Sequence, residues 1–150
     1  MPGIIVGVDG SEPSRRALSW AIREAVEHEM PLTVMTVQRG PARPATEVYW
    51  PVPDYPDPSR DAEPARRAVR ELVDKATSEA GDRIPEVTVT VTTGNPAEEL
   101  VRASHDADLL VVGAHGRGGF ATLLMGSVST QVVHHAACPV VVVREAPKAP

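Results

Sequence analysis

Short apolar runs alternate along the chain with longer segments in which apolar residues recur at every third or fourth position. Four of the runs predict buried strands, at 4–8, 32–37, 109–112 and Val140–Val143. A fifth run, at 87–91, alternates valine with threonine, which is typical of a half-buried strand. The polarity pattern therefore predicts five strands separated by helical segments.

The segments between the strands have helical periodicity and recognisable end signals. Helices are predicted over 13–29, with Ser11 as the cap, and over 65–80. Two further helices follow Gly94-Asn95-Pro96 and Gly126-Ser127. Strict alternation of strand and helix predicts one α/β domain over the whole chain, with an open parallel sheet and helices on both faces.

Size and charge narrow the class of protein. The chain of 150 residues is long enough to bury a core, and its net charge of −5 argues against nucleic acid or an anionic membrane surface as the main partner. No apolar run approaches the ~20 residues that cross a bilayer. The first residues lack a signal-peptide pattern, and the single cysteine, Cys138, excludes an internal disulfide. These features favour a cytoplasmic protein.

The segment 39–64 breaks the periodicity and is predicted to be a long loop. It holds seven of the fifteen prolines, together with Tyr49, Trp50 and Tyr55. Aromatic residues are uncommon in disordered segments. We interpret the loop as a lid over a ligand crevice or as a partner surface, with a mobile insertion as the alternative.

The stretch 113–130 carries five of the eleven glycines and one charge, Arg117. Gly113 and Gly116 would let the backbone approach a ligand with no Cβ in the way. Arg117 would help to neutralise phosphate, or would lie in solvent. The glycine spacing predicts a phosphate-binding loop, and the alternative is that these glycines only shape a turn.

Gly126 and Ser127 open the fourth predicted helix. The unpaired amides of a helix N-terminus attract phosphate, and hydroxyl donors are predicted at Ser127, Ser129 and Thr130. The stretch is not a P-loop, because no lysine followed by serine or threonine stands after the glycines.

Asp9 follows the first strand directly. In doubly wound sheets ligands bind beyond the carboxyl ends of the strands, at the point where the strand order reverses. If the first and fourth strands are neighbours there, Asp9 and the glycine-rich loop face one crevice. An aspartate suits ribose hydroxyls or a magnesium ion, although it also suits a simple turn into the first helix.

The chain resembles the universal stress protein family over nearly all its length. The resemblance lies in "IIVGVDGS", "TGNPAEELV", "DLLVVGAHGRGG" and "GSVSTQVVHHAACPVVVVR", and in the Gly113-x2-Gly116-x9-Gly126-Ser127 spacing, which is similar to the ATP-binding signature of that family. It implies a five-stranded parallel sheet in the order 3-2-1-4-5. Thr36 is a departure, since many members have histidine there.

The resemblance also implies roles for individual residues. Asp9 would contact ribose, and the Val37 backbone would contact adenine. The loop residues, with Gly126, Ser127, Val128 and Ser129, would hold the phosphates of ATP. Some members of the family bind AMP or cyclic AMP, and others bind no nucleotide.

The remaining polar candidates have simpler interpretations. His134 and His135 point about 100° apart on a helix, which is poor geometry for one metal ion. His115 is expected to be a solvent-exposed loop residue rather than a phosphate contact or base. Cys138 precedes Pro139 and is expected to be packed.

The last strand, Val140–Val143, has no polar face and lies at an edge under the implied order. We expect two copies to pair through it as a homodimer, as members of the family do. The predicted function is that of an ATP-binding regulatory protein of the stress response. The alternatives are a slow ATPase with magnesium held by Asp9, and a dimeric interaction module that binds AMP, cyclic AMP or no nucleotide.

Overall fold

The computed structural model describes residues 2–39, 62–81, 83, 85–115 and 125–145. Five strands alternate with four helices in this part of the chain: β1 (Ile4–Gly7), α1 (Glu12–Glu27), β2 (Leu32–Arg39), α2 (Ala62–Ala80), β3 (Val87–Gly94), α3 (Pro96–Ser104), β4 (Leu109–Gly113), α4 (Ser127–His135) and β5 (Val140–Val143).

The strands form one parallel sheet in the order β3-β2-β1-β4-β5. Ile4 on β1 pairs with Leu32 on one side and with Leu109 on the other, so the order reverses around β1. This arrangement confirms the predicted fold class and the predicted strand order. It also places β3 and β5 at the two edges of the sheet.

The two faces of the sheet bury separate apolar clusters. Ala21 and Ile22 of α1 pack with Val69 and Val73 of α2 on one face. On the other face, Leu100 of α3 and Val132 of α4 pack over Met35, Leu110 and Val112. Helices that cover both faces explain why β1 and β4 are apolar along their whole length.

The helix starts agree with the end signals in the sequence. The Ser11 side chain accepts a hydrogen bond from the Ser14 amide at 3.4 Å, and the Asn95 side chain accepts one from the Glu98 amide at 3.1 Å. A capping side chain of this kind satisfies one of the amides that a helix N-terminus leaves unpaired.

The boundaries of the proline-rich loop need correction. Arg39 still pairs with Gly94 at the end of β2, and α2 already begins at Ala62, so both ends of the predicted 39–64 loop belong to regular elements. Pro64 fits in the first helical turn because its missing N–H has no helical acceptor there. The interior of the loop, with Tyr49, Trp50 and Tyr55, lies outside the described residues, as does the tail at 146–150.

Two other bounds differ from the prediction. β3 extends to Gly94 rather than 91, because Thr92 and Thr93 continue the pairing with β2. α1 ends at Glu27 rather than 29, and Glu29 follows with a positive φ of 53°.

Candidate functional site

The carboxyl ends of β1 and β4 lie side by side at the reversal of strand order. Val6 pairs with Val111, and each strand ends shortly afterwards, at Gly7 and Gly113. The predicted adjacency of these two strands is therefore confirmed. In doubly wound sheets a crevice for a ligand forms at such a point, because the connections after the two strands lead to opposite faces of the sheet.

Gly113 is required by packing against α1. A Cβ built on Gly113 would lie 2.8 Å from both the carbonyl carbon and the carbonyl oxygen of Pro13. The glycine identified by its spacing thus allows the first turn of α1 to approach the end of β4. The space of an added Cβ is taken by protein backbone, and the contact of Gly113 with a ligand stays a prediction.

Asp9 lies exposed at the entry to α1. Its Oδ1 accepts a hydrogen bond from the Ser11 amide at 2.9 Å, and its own amide donates to the Ser14 hydroxyl at 3.3 Å. The turn-forming role considered for Asp9 is therefore present. The same turn fixes the carboxylate at the mouth of the crevice.

The backbone of Val37 is directed into the crevice. The amide of Leu32 donates to Glu86 on the β3 side, while the carbonyl of Met35 accepts from Val8 on the β1 side. Because backbone groups alternate sides along a strand, the N–H and C=O of Val37 point towards the β1 side. β1 ends at Gly7, and no described residue there hydrogen-bonds to Val37.

The N-terminus of α4 differs from those of α1 and α3. Its cap is Gly126, and no side chain in the described part of the chain caps the helix. The amides of Ser127, Val128 and Ser129 belong to the first turn, where no helical carbonyl can pair with them. Three donors at the positive end of a helix dipole therefore lie at the residues that the sequence assigned to phosphate.

The hydroxyls in this turn are not all available as donors. Ser129 is 2% exposed, and its hydroxyl donates to the carbonyl of Ala114 at 2.9 Å. The Thr130 hydroxyl donates to the carbonyl of Gly126 at 2.8 Å. The prediction that the hydroxyls of Ser129 and Thr130 donate to phosphate is therefore wrong, because both donate to nearby backbone carbonyls. Ser127 is exposed.

Ala114 is a site residue that the sequence did not indicate. Its carbonyl accepts from both the Gly126 amide, at 2.6 Å, and the Ser129 hydroxyl, while its amide donates to Val143 at 3.0 Å. A backbone carbonyl leaves no signal in residue type, which explains the omission. Ala114 ties the start of α4 to the ends of β4 and β5.

His115 is half-buried, which corrects the expectation of a solvent-exposed loop residue. Its Nδ1 is inaccessible and has no hydrogen-bond partner in the described structure. The next residues, 116–124, which include Gly116 and Arg117, lie outside the described residues.

His134 and His135 are exposed on α4, with ring centroids 6.3 Å apart.

Cys138 lies half-buried beside β5. Burial raises the pKa of its thiol above the ordinary value, the nearby Asp108 charge raises it further, and a backbone hydrogen bond at Leu110 acts in the opposite direction. Because the thiolate is the reactive form, a raised pKa lowers nucleophilicity near neutral pH. This agrees with the packed role expected of Cys138.

Among the described helices, none is both long and apolar enough to cross a bilayer.

Comparisons with known proteins agree with this architecture. Residues 2–144 match the model of the universal stress protein family. A universal stress protein of Mycobacterium tuberculosis is 33% identical over 144 residues, which are 96% of this chain and 48% of the relative. The chain therefore spans about half the length of the curated relatives it matches.

Solved structures of the family share the fold. Universal stress protein UspA from Lactobacillus plantarum superposes with a TM-score of 0.73 at 24% identity, covering 95% of this chain and 97% of that one. A universal stress protein in complex with cAMP has a TM-score of 0.67 at 27% identity, with 95% and 96% covered.

Proposed function

The chain belongs to the universal stress protein family, and we propose that it is a regulatory protein of the stress response that uses bound ATP as a signal. The observation that carries the proposal is the N-terminus of α4, where the cap is a glycine and no side chain of the described residues caps the first amides. The related structure in complex with cAMP supports a nucleotide as the ligand.

In this proposal the nucleotide lies across the crevice. The amides of Ser127, Val128 and Ser129 hold the phosphates, since helix N-termini bind anions through unpaired N–H groups. The exposed Asp9 carboxylate accepts hydrogen bonds from the ribose hydroxyls. The N–H of Val37 donates a hydrogen bond to an acceptor on the edge of adenine, and its C=O accepts one from a donor on the same edge.

Gly116 and Arg117 complete the proposed phosphate site. Gly116 would present its amide to the phosphates, and Arg117 would neutralise their charge. A Mg²⁺ ion bound with ATP takes most of its ligands from phosphate oxygens and water, so one protein carboxylate, Asp9, is sufficient.

We propose no catalytic residue. Phosphoryl transfer normally recruits a lysine at the phosphates and a base that orients the nucleophile. The chain has no lysine between residues 113 and 130. The alternative of a slow ATPase, with Asp9 holding magnesium and Arg117 stabilising charge, predicts phosphate release. An assay of inorganic phosphate with excess Mg-ATP distinguishes it from a binding protein.

The proposal also includes a homodimer through β5. The carbonyls of Pro139 and Val143 bond to β4, so by alternation the backbone groups of Val140 and Val142 point outward from the sheet. On the opposite edge, the Arg66 guanidinium donates to the outward carbonyl of Val89 at 3.0 Å. None of the described residues covers the outward groups of β5 in this way, so the apolar β5 is the edge that we propose for pairing. A soluble dimer of this kind fits a cytoplasmic protein.

Gly126→Asp tests the phosphate site. An aspartate at this position caps the first turn with its own carboxylate and repels a phosphate there. We expect the variant to retain or gain thermal stability without ligand and to bind ATP at least about tenfold more weakly by calorimetry.

Gly126→Asn is the matched control, because asparagine caps the same amides without the charge. We expect its affinity for ATP to lie between those of the wild type and Gly126→Asp. Unchanged ATP affinity in a folded Gly126→Asp variant would contradict the proposed phosphate site. Parallel titrations with AMP and cyclic AMP, together with mass spectrometry of nucleotide that copurifies, identify which nucleotide the crevice prefers.

A further inference from the structure

A second cavity opens at the opposite end of the molecule, where α1 ends and β2 and β3 begin. Its volume is about 620 Å³, which is within the usual range for a ligand site. Its floor is apolar and is formed, among the described residues, by Ala25, Val26, Met30, Pro31 and Pro85. Its described lining shares no residue with the proposed nucleotide site.

Backbone hydrogen bonds hold the walls of this cavity in place. The Met30 amide donates to Ala25 at 2.9 Å, and the Leu32 amide donates to Glu86 at 2.8 Å. The carbonyl of Pro31 accepts from the Ile4 amide at 3.0 Å. The backbone on the β2 side of the cavity is therefore held in place before a ligand binds.

The rim of the cavity is charged and predominantly acidic. Glu29, Glu86 and Arg83 line it. Arg83 pairs with Glu29 at a loose 3.8 Å, and their side chains are 70% and 83% exposed. Exposed pairs of this kind contribute little to stability. A cation from another molecule can therefore replace Arg83 at Glu29 at low cost.

Glu29 occupies this rim in an unfavourable backbone conformation. Its φ of 53° is the one positive value among the non-glycine residues that the structure describes. The position after a helix end with this conformation normally favours glycine. Strained positions of this kind are frequent at functional sites, so Glu29 is the rim carboxylate on which the inference rests.

The end of α1 adds to the negative potential beside the cavity. Its last turn carries no basic residue, although the negative end of the helix dipole favours one. Glu24 and Glu27 also lie on that turn, but they do not line the cavity, and Glu24 pairs with His28 at 3.1 Å. An incoming cation is therefore attracted by Glu29, Glu86 and the helix dipole together.

We propose that this cavity binds an arginine side chain from an exposed segment of a partner protein. The apolar floor fits the methylene stem of arginine, and Glu29 and Glu86 accept hydrogen bonds from its guanidinium. The net charge of −5 on the chain favours encounter with a basic partner. The inference does not depend on nucleotide binding at the crevice.

The test uses the ¹⁵N-labelled full chain and the peptide acetyl-Gly-Leu-Arg-Leu-Gly-amide. We expect amide shifts confined to Ala25, Val26, Met30 and Glu86, with saturation on titration. The same peptide with citrulline in place of arginine is neutral and nearly isosteric, and we expect it to bind about tenfold more weakly. Binding of the arginine peptide should also weaken as the salt concentration is raised.

Glu29→Gly is the decisive variant, because it removes the carboxylate and relieves the positive φ. We expect it to keep or raise the melting temperature and to lose most of its affinity for the arginine peptide. Glu71→Gln, at an exposed position on α2, is the control and should bind as the wild type does. Equal binding of the citrulline peptide, unchanged binding by Glu29→Gly, or shifts located outside the cavity would each overturn the proposal.

Discussion

At position 113 the backbone of β4 passes so close to α1 that a hydrogen atom is all that fits on its Cα. The nearest atoms to an added Cβ are the carbonyl carbon and oxygen of Pro13, and neither is the flexible end of a side chain. Rigid backbone atoms cannot give way without displacing the start of α1. Asp9 is hydrogen-bonded to Ser11 and Ser14 at this start of α1, so a displacement of α1 would also move its carboxylate.

Gly113→Ala should therefore destabilise the protein by about 1–3 kcal/mol, the usual cost of overpacking. Urea denaturation measures this difference. Gly81→Ala is the control, because Gly81 has a φ of 100° but no atom within 4 Å of an added Cβ. It should cost about 1 kcal/mol, from backbone strain alone. A Gly113→Ala protein as stable as the wild type would contradict the close packing.

The sequence identified several site residues but could not assign all their contacts. Spacing selected Gly113, although its contact with Pro13 depends on the distance between two elements. Asp9 could be expected at the crevice because it directly follows a strand. The outward direction of the Val37 backbone depends on which β2 residues bond to β1, and that register is a property of the folded sheet.

At the scale of elements, α4 is held at its start by hydrogen bonds to the loop after β4. The buried Ser129 hydroxyl donates to Ala114 and also lies 3.1 Å from the Gly126 carbonyl. Because Ala114 in turn donates to β5, this link joins α4, β4 and β5. The direction in which the first amides of α4 point depends on it.

Ser129→Ala removes the buried hydroxyl and should lower the free energy of unfolding by about 1 kcal/mol. Thr130→Ala is the matched control, since the Thr130 hydroxyl also donates to a carbonyl but is exposed. Its effect should be within about 0.5 kcal/mol, as for most surface substitutions. Chemical denaturation compares the two, and equal losses would argue against a structural role for the buried bond.

Element types were predictable because periodicity and caps agreed along most of the chain. Helix α3 begins where Asn95 and Pro96 indicated, and β5 covers the predicted valines. The end of β3 was missed because threonine and glycine after residue 91 resemble a turn. Pairing with β2 nevertheless extends the strand through these residues. This is a tertiary effect, and the local sequence pattern does not predict it.

At the scale of the molecule, the two edges of the sheet differ. Arg66 covers part of β3, whereas the outward backbone groups of Val140 and Val142 have no described partner beyond the edge. Unpaired edge groups on an apolar strand favour pairing with a second strand. The proposed dimer follows from this difference.

Val142→Pro removes an outward N–H and leaves the bonds from β5 to β4 in place. We expect light scattering after gel filtration to show a dimer for the wild type and a monomer for this variant. Val91→Pro removes an equivalent outward N–H at the opposite edge and should remain dimeric. A Val142→Pro protein that elutes as an intact dimer would place the interface elsewhere.

The single side chain of Arg66 has a consequence for how far assembly can proceed. Were both margins of the sheet equally receptive, each newly added copy would offer a fresh strand to the next, and growth would be open-ended. In the proposed dimer, two copies that join through β5 would use up each other's open edge, and the two-fold symmetry would close the assembly. Arg66, at the opposite edge, would then hinder the addition of a further copy at Val89.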